Sequence, residues 1–212
     1  DLNPMAAELG KVSLWLGALH EGARAPYMDL RIQPGNSLIG ARMEAYDPEL
    51  LQARTMKDRW FNAAPTAVLP HARPPEAVYH FLLADPGMVP FARDKVVKQR
   101  FPAAVEAMRG WLSDAKQPYT DLEVATLRRL SAQIDTLAAK LLDARRALLR
   151  EVRQPVALWG QPAPSDWVPS ALECEERARA MDRGGSAYRR LKAVMDYWCA
   201  LWFWPVSQAE LL

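Results

Sequence analysis

The chain has little cysteine, little histidine and no long apolar run. Its two cysteines, Cys174 and Cys199, have no metal-like spacing with each other or with a histidine, so the expectation is two reduced thiols in a cytoplasmic protein. The three histidines, His20, His71 and His80, are scattered, and no metal site is expected from them. The most apolar run, residues 193–206, contains Asp196 and falls short of the roughly 20 residues a bilayer span needs, so no membrane role is expected. No targeting segment is read at the start. Charge of one sign is also scarce: 27 Lys and Arg stand against 25 Asp and Glu, a net charge of +2. A nucleic-acid contact would have to come from a local patch rather than from bulk charge.

What is present is apolar content and helical periodicity. Half of the 212 residues are apolar, enough for a core, and the length suits one domain or one domain plus a helical arm. Residues 1–19 read as a helix whose N-cap is Asn3 and whose first position is Pro4, with Met5, Leu9, Val12, Leu16 and Leu19 as one stripe. Residues 27–33 alternate Met28, Leu30 and Ile32 with Asp29 and Arg31, the pattern of a short strand. It ends at Pro34-Gly35, and a tight loop follows to Gly40.

Between 41 and 118 prolines at 65, 70, 74, 75, 86 and 90 interrupt the chain, leaving short helical stretches at 48–60 and 101–112. Residues 78–83 fit either a strand or a helical turn. Thr120 and Glu123 form a capping-box pair that opens a helix to Arg153, roughly 45–50 Å long. Its seam is Leu127, Leu130, Ile134, Leu137, Leu141, Ala144 and Leu148. Ser170 and Glu173 make a second capping box before a helical stretch to Trp204, broken near Gly184-Gly185 and ended by Pro205. This second stretch is the expected antiparallel partner of the seam. The aromatic residues Trp198, Trp202, Phe203 and Trp204 read as core.

Two places invite chemistry. Asp1, beside a helix N-terminus, has the side chain to accept hydrogen bonds from both ribose hydroxyls of a nucleotide. The stretch 93–100 carries Arg93, Lys95, Lys98 and Arg100 against the single Asp94, the best basic patch in the chain and a candidate DNA contact. The arginines 128, 129, 145, 146 and 150 of the long helix read as a solvated face.

Residues 1–16, Asp-Leu-Asn-Pro-Met-Ala-Ala-Glu-Leu-Gly-Lys-Val-Ser-Leu-Trp-Leu, followed by Gly35-Asn36-Ser37-Leu38-Ile39-Gly40, resemble the second and third motifs of bacterial adenine-specific DNA methyltransferases. The resemblance is to the large Eco57I-type enzymes of restriction-modification and phage-defence systems, including those of DISARM and BREX type. The aromatic-rich stretch 188–205 resembles the helix that ends the long insert of such enzymes, and 78–88 is also similar to them. The resemblance implies that Asp1 holds the ribose hydroxyls of S-adenosylmethionine and that Leu2 packs on its adenine. It places Asn36 where many relatives have an aspartate that accepts from the adenine amino group, and sets Ser37 and Leu38 along the same wall. An amide at 36 accepts that bond but brings no charge.

The glycine-rich first motif and the catalytic Asn-Pro-Pro-aromatic motif are absent from the chain, and Asn62-Ala-Ala-Pro65 lacks the paired prolines. The expectation is therefore a fragment of a DNA N6-adenine methyltransferase, with no catalytic residue of its own. It would use S-adenosylmethionine only in the complete parent. Its partners would be double-stranded DNA, the rest of the methyltransferase domain and other defence subunits. The expected fold is mainly α. Residues 1–45 would be a small α/β remnant of a class I, Rossmann-like domain, and 46–118 an irregular Pro-rich helical segment. Residues 119–212 would form a long antiparallel coiled-coil-like arm. The rival expectation is a non-catalytic helical module that binds DNA or a partner subunit.

Overall fold

The computed structural model describes residues 2–17, 28–29, 31–36, 38–151 and 170–212. The regular elements are α1 (Pro4–Gly17), β1 (Glu44–Tyr46), α2 (Pro48–Gln52), β2 (Thr66–Ala67), β3 (Val78–Tyr79), α3 (Lys95–Arg100), α4 (Pro102–Asp114), α5 (Asp121–Glu151), α6 (Ala171–Met181) and α7 (Ala187–Leu201). The protein is thus mainly helical, with one small sheet among the described residues. Two compact units form, one from 1–39 and 140–189, the other from 40–139 and 190–212. No helix of the described residues is long and apolar enough to cross a membrane.

In the first unit, α1 starts as its sequence dictates. The Asn3 carboxamide accepts the Met5 N–H at 2.9 Å, and Pro4 fills the first turn, where its missing donor costs nothing. The apolar stripe, however, faces outward: Met5, Leu9, Val12 and Leu16 are 66%, 61%, 47% and 58% exposed. Ala7 is the residue turned in, and Lys11 lies beside it, paired with Glu8 at 2.6 Å and with Asp29. The expected strand at 27–33 is a turn over its described residues, where the N–H groups of Arg31 and Ile32 both donate to the Met28 carbonyl at 2.8 and 3.0 Å. An alternating run forms a strand only if a neighbour pairs with it, and none does here among the described residues. Ser170 and Glu173 close the capping box that starts α6.

The second unit is built around a three-stranded antiparallel sheet in the order β2-β1-β3, with Ala45 opposite both Thr66 and Tyr79. The ambiguous 78–83 run resolves as both alternatives in turn, a two-residue strand and then a 3-10 turn at His80–Leu82. One core gathers Tyr46, Leu51, Trp60, Val78, Leu83 and Val124. The other joins Met88, Val89, Ala92, Met108 and Leu112 to Leu201 and Ala209, with Trp198 and Trp202 packed against it. The aromatic end of α7 is therefore partly core, as its composition predicts, although Phe203 is 61% exposed.

Within this unit the proximal half of α5 packs against the 73–83 segment. The Thr120–Glu123 capping pair forms, with Glu123 accepting the Thr120 N–H at 2.7 Å. Of the expected seam, Ile134 is buried and Leu127 half-buried in this unit, while Leu148, buried, and Leu141, half-buried, belong to the first. The second column differs: Val124, Ser131 and Ala138 are buried, whereas Leu130 and Leu137 are half-buried and Ala144 is exposed. Val124 joins the side-chain core with Leu51, Trp60 and Leu83, whereas at Ser131 a backbone lies against the helix and a small side chain fits. Ser131 is 0% exposed, and its Oγ accepts the Tyr79 N–H at 3.3 Å.

An ion pair fixes the same contact. Arg73, 8% exposed, holds both Asp135 oxygens, with Nη2 at 2.7 Å and Nε at 3.1 and 3.2 Å. Its Nη1 donates to the carbonyls of Pro74 at 3.0 Å, Pro75 at 3.4 Å and Ala77. The Tyr79 hydroxyl donates to Asp135 at 2.7 Å, and burial together with that carboxylate pushes its pKa well up. Arg59, also buried, donates to the carbonyls of Ala53, Arg54 and Lys116 and braces a second irregular stretch.

Two outcomes check this packing. Ser131→Leu should destabilise the fold by about 1–3 kcal/mol, read as a lowered urea midpoint at unchanged slope, because the added volume meets β3 backbone. His80 supplies the second. Its Nε2 lies 3.0 Å from the Arg42 N–H, and burial lowers its pKa below the ordinary 6.5. Stability is then complete above that ordinary value and falls as pH drops through the lowered one, since the unfolded chain binds the proton first. The urea midpoint should fall from pH 7 to pH 5 in the native chain, and fall less in His80→Gln, which keeps an acceptor but does not titrate there.

Candidate nucleic-acid interface

The basic stretch is positioned by the turn that precedes it. Asp85 accepts the Gly87 N–H at 2.6 Å, and a Cβ on Gly87 would come within 2.9 Å of the Trp202 ring. Only glycine allows that approach. Val89 then takes the left-handed conformation, with φ 52° and ψ 56°, which costs a β-branched residue of order 1–2 kcal/mol. Its N–H donates to the Leu201 carbonyl at 3.0 Å, satisfying an otherwise orphaned acceptor at the end of α7. Pro90 opens a 3-10 turn through Arg93, and α3 follows.

Asp94, the one acid of the stretch, is engaged as the N-cap of α3 and accepts the Val97 N–H at 2.8 Å. Phe101 closes α3, its N–H donating to the Val97 carbonyl at 2.8 Å, and Pro102 begins α4. Proline cannot continue α3, so the two helices meet at a break at Phe101. Val97 is half-buried on the inner side. Arg93, Lys95, Lys98 and Arg100 are all exposed. Arg93 donates to the Pro86 carbonyl, while Lys95, Lys98 and Arg100 have no ion-pair partner among the described residues. Phe91, Val96 and Phe101 lie exposed among these cations at 40%, 58% and 53%. The two phenyl rings were not part of the sequence-based site; the signal available was an aromatic residue at each end of a basic run.

The residues expected to hold S-adenosylmethionine divide differently. Asp1 and Ser37 lie outside the described residues. Leu2, Asn36 and Leu38 fall in the first unit, all exposed, with Leu38 at 88%. The Asn36 Oδ1 accepts the Leu38 N–H at 2.9 Å, closing a turn on itself. A site for an adenine ring needs apolar walls on two sides. All three side chains are exposed, so none is enclosed as a wall of such a site in this structure. Among the described residues no group of three or more His, Cys, Asp or Glu could hold a metal ion.

Asp94→Ala separates the helix cap from the charge at this position. Loss of the cap should lower stability by about 1 kcal/mol. Loss of the negative charge should tighten binding to a polyanion, so a lower thermal midpoint should accompany a stronger heparin retention.

Compared with models of known families, with curated proteins and with solved structures, the chain matches none.

Proposed function

We propose that this chain is the DNA-facing helical portion of an S-adenosylmethionine-dependent DNA N6-adenine methyltransferase from a restriction-modification or phage-defence system. The observation that carries the reading is the stretch 93–100. Four exposed cations stand there, and their one acidic neighbour is occupied as a helix cap. Phosphate contacts of this kind set affinity and register without reading sequence. The motif resemblance at 1–16 and 35–40 supplies the rest of the identity. On it, α1 and the turn through Leu38 are the remnant of the Rossmann-like cofactor domain, and Asp1, Leu2, Asn36, Ser37 and Leu38 form one edge of a pocket the parent completes. The coiled-coil-like arm expected over 119–212 would have α5 as its long helix. No residue of this chain is assigned a catalytic role.

The rival reading, a non-catalytic helical module that binds DNA or a partner subunit, is favoured in its partner-binding form by one observation, the outward apolar stripe of α1.

The test is salt-dependent binding of the chain to mixed-sequence duplex DNA, followed by fluorescence anisotropy. Lys95→Gln/Lys98→Gln should weaken binding at every sequence and reduce the slope of log K against log salt by about 2, roughly 0.9 per phosphate contact. Labelled methyl transfer by the same sample should stay at background. Turnover, or binding indifferent to the two lysines, would reject the assignment.

A further inference from the structure

We infer that the α3 surface takes single-stranded DNA in preference to duplex, with Phe91 and Phe101 as stacking platforms and Lys95, Lys98 and Arg100 as the phosphate contacts between them. This rests on the DNA-binding reading above and goes further, because it names the form of the nucleic acid.

The argument begins with what the surface presents. Phe91 precedes α3 and Phe101 closes it, so the rings bracket a six-residue helix, roughly 9 Å from end to end. Both are exposed, at 40% and 53%. Each is held by local structure: the Phe91 carbonyl accepts the Asp94 N–H at 3.2 Å, and Phe101 is fixed between the end of α3 and Pro102. Cations alone suit either strand form, since both carry phosphates. Aromatic faces do not. In a duplex the base faces are covered by their neighbours, and only an unpaired base offers one to a phenyl ring.

An anionic membrane shares the charge complementarity, but it needs an apolar face segregated from the basic one. Here the two are mixed. At 100° per residue, the exposed arc of α3 runs Lys98, Lys95, Gln99, Val96, Arg100, and the remaining apolar position, Val97, points inward. Such a surface offers cations with an exposed ring at each end of the stretch, which fits a short strand whose phosphates meet the cations and whose bases meet the rings.

The experiment compares the full chain binding a labelled 12-nucleotide oligothymidylate with a labelled duplex of mixed sequence at one salt concentration. Tighter binding of the single strand is expected. Phe91→Leu/Phe101→Leu should reduce single-strand affinity by on the order of tenfold or more while duplex affinity changes less than twofold, and Tyr at both positions should restore it. Phe101→Leu alone serves if the double variant has a lowered melting temperature, since Phe101 is the more exposed ring. Equal single-strand and duplex affinity, with the lysines needed and the rings dispensable, would overturn this inference and leave the DNA-binding reading intact. Failure to bind either DNA would overturn both. Phe-dependent sedimentation with phosphatidylserine vesicles, without DNA binding, would assign the surface to a membrane and overturn it as well.

Discussion

The second unit depends on the guanidinium of Arg73. The segment it serves, residues 73–79, has only a two-residue strand and contains two prolines that donate nothing. The Pro74 carbonyl also accepts the Ala77 N–H at 3.0 Å, but those of Pro75 and Ala77 rely on a donor from Arg73, and a buried orphan costs about 1–3 kcal/mol. One planar side chain with five N–H groups reaches three of those carbonyls and both oxygens of Asp135. From this bond the rest follows. Beside it β3 meets Ser131 of α5 and pairs with β1, which pairs in turn with β2. The backbone then turns to bring His80 onto Arg42 and the Leu83 carbonyl onto the Trp198 indole, at 2.9 Å. That indole anchors α7, whose last carbonyl holds the left-handed Val89 and, through it, the start of the basic stretch. The exposed basic stretch is thereby tied to an interior cation.

Local signals in the sequence were legible because each is enforced within four residues. Asn3, Thr120 and Ser170 cap helices where their spacing to the following donors says they should. The long helix is read from its period to within a few residues. The side it buries was read only in half. Leu127, Ile134, Leu141 and Leu148 follow the helical rule, but Ser131 owes its burial to a backbone N–H from 52 residues away, which no period encodes. Arg73 and Arg59 look in the sequence like surface charges, and their interior role depends on carbonyls left unpaired by irregular segments. The outward turn of the α1 stripe is the sharpest departure. Periodicity reports that a helix has an apolar face, not that the neighbouring residues will cover it.

The candidate site divides along the same line. The run Arg93 to Arg100 is contiguous, so sequence alone collects it, and its exposure follows from a short helix with one inward residue. Phe91 and Phe101 join it only because the Pro90 turn and the Pro102 break hold both ends of α3. The cofactor set is spread over two distant motifs, and Leu2, Asn36 and Leu38 are exposed rather than enclosed.

The α1 stripe also governs how the molecule behaves in bulk. Four exposed aliphatic side chains in a row on one helix are identical in every copy, so contact between copies grows with the square of concentration, whereas binding to a dilute ligand grows only linearly. Working dilution therefore decides which equilibrium an instrument sees. Contact through the apolar stripe would persist as salt rises while contact through the cations of 93–100 would weaken, so ionic strength is the variable that tells the two apart.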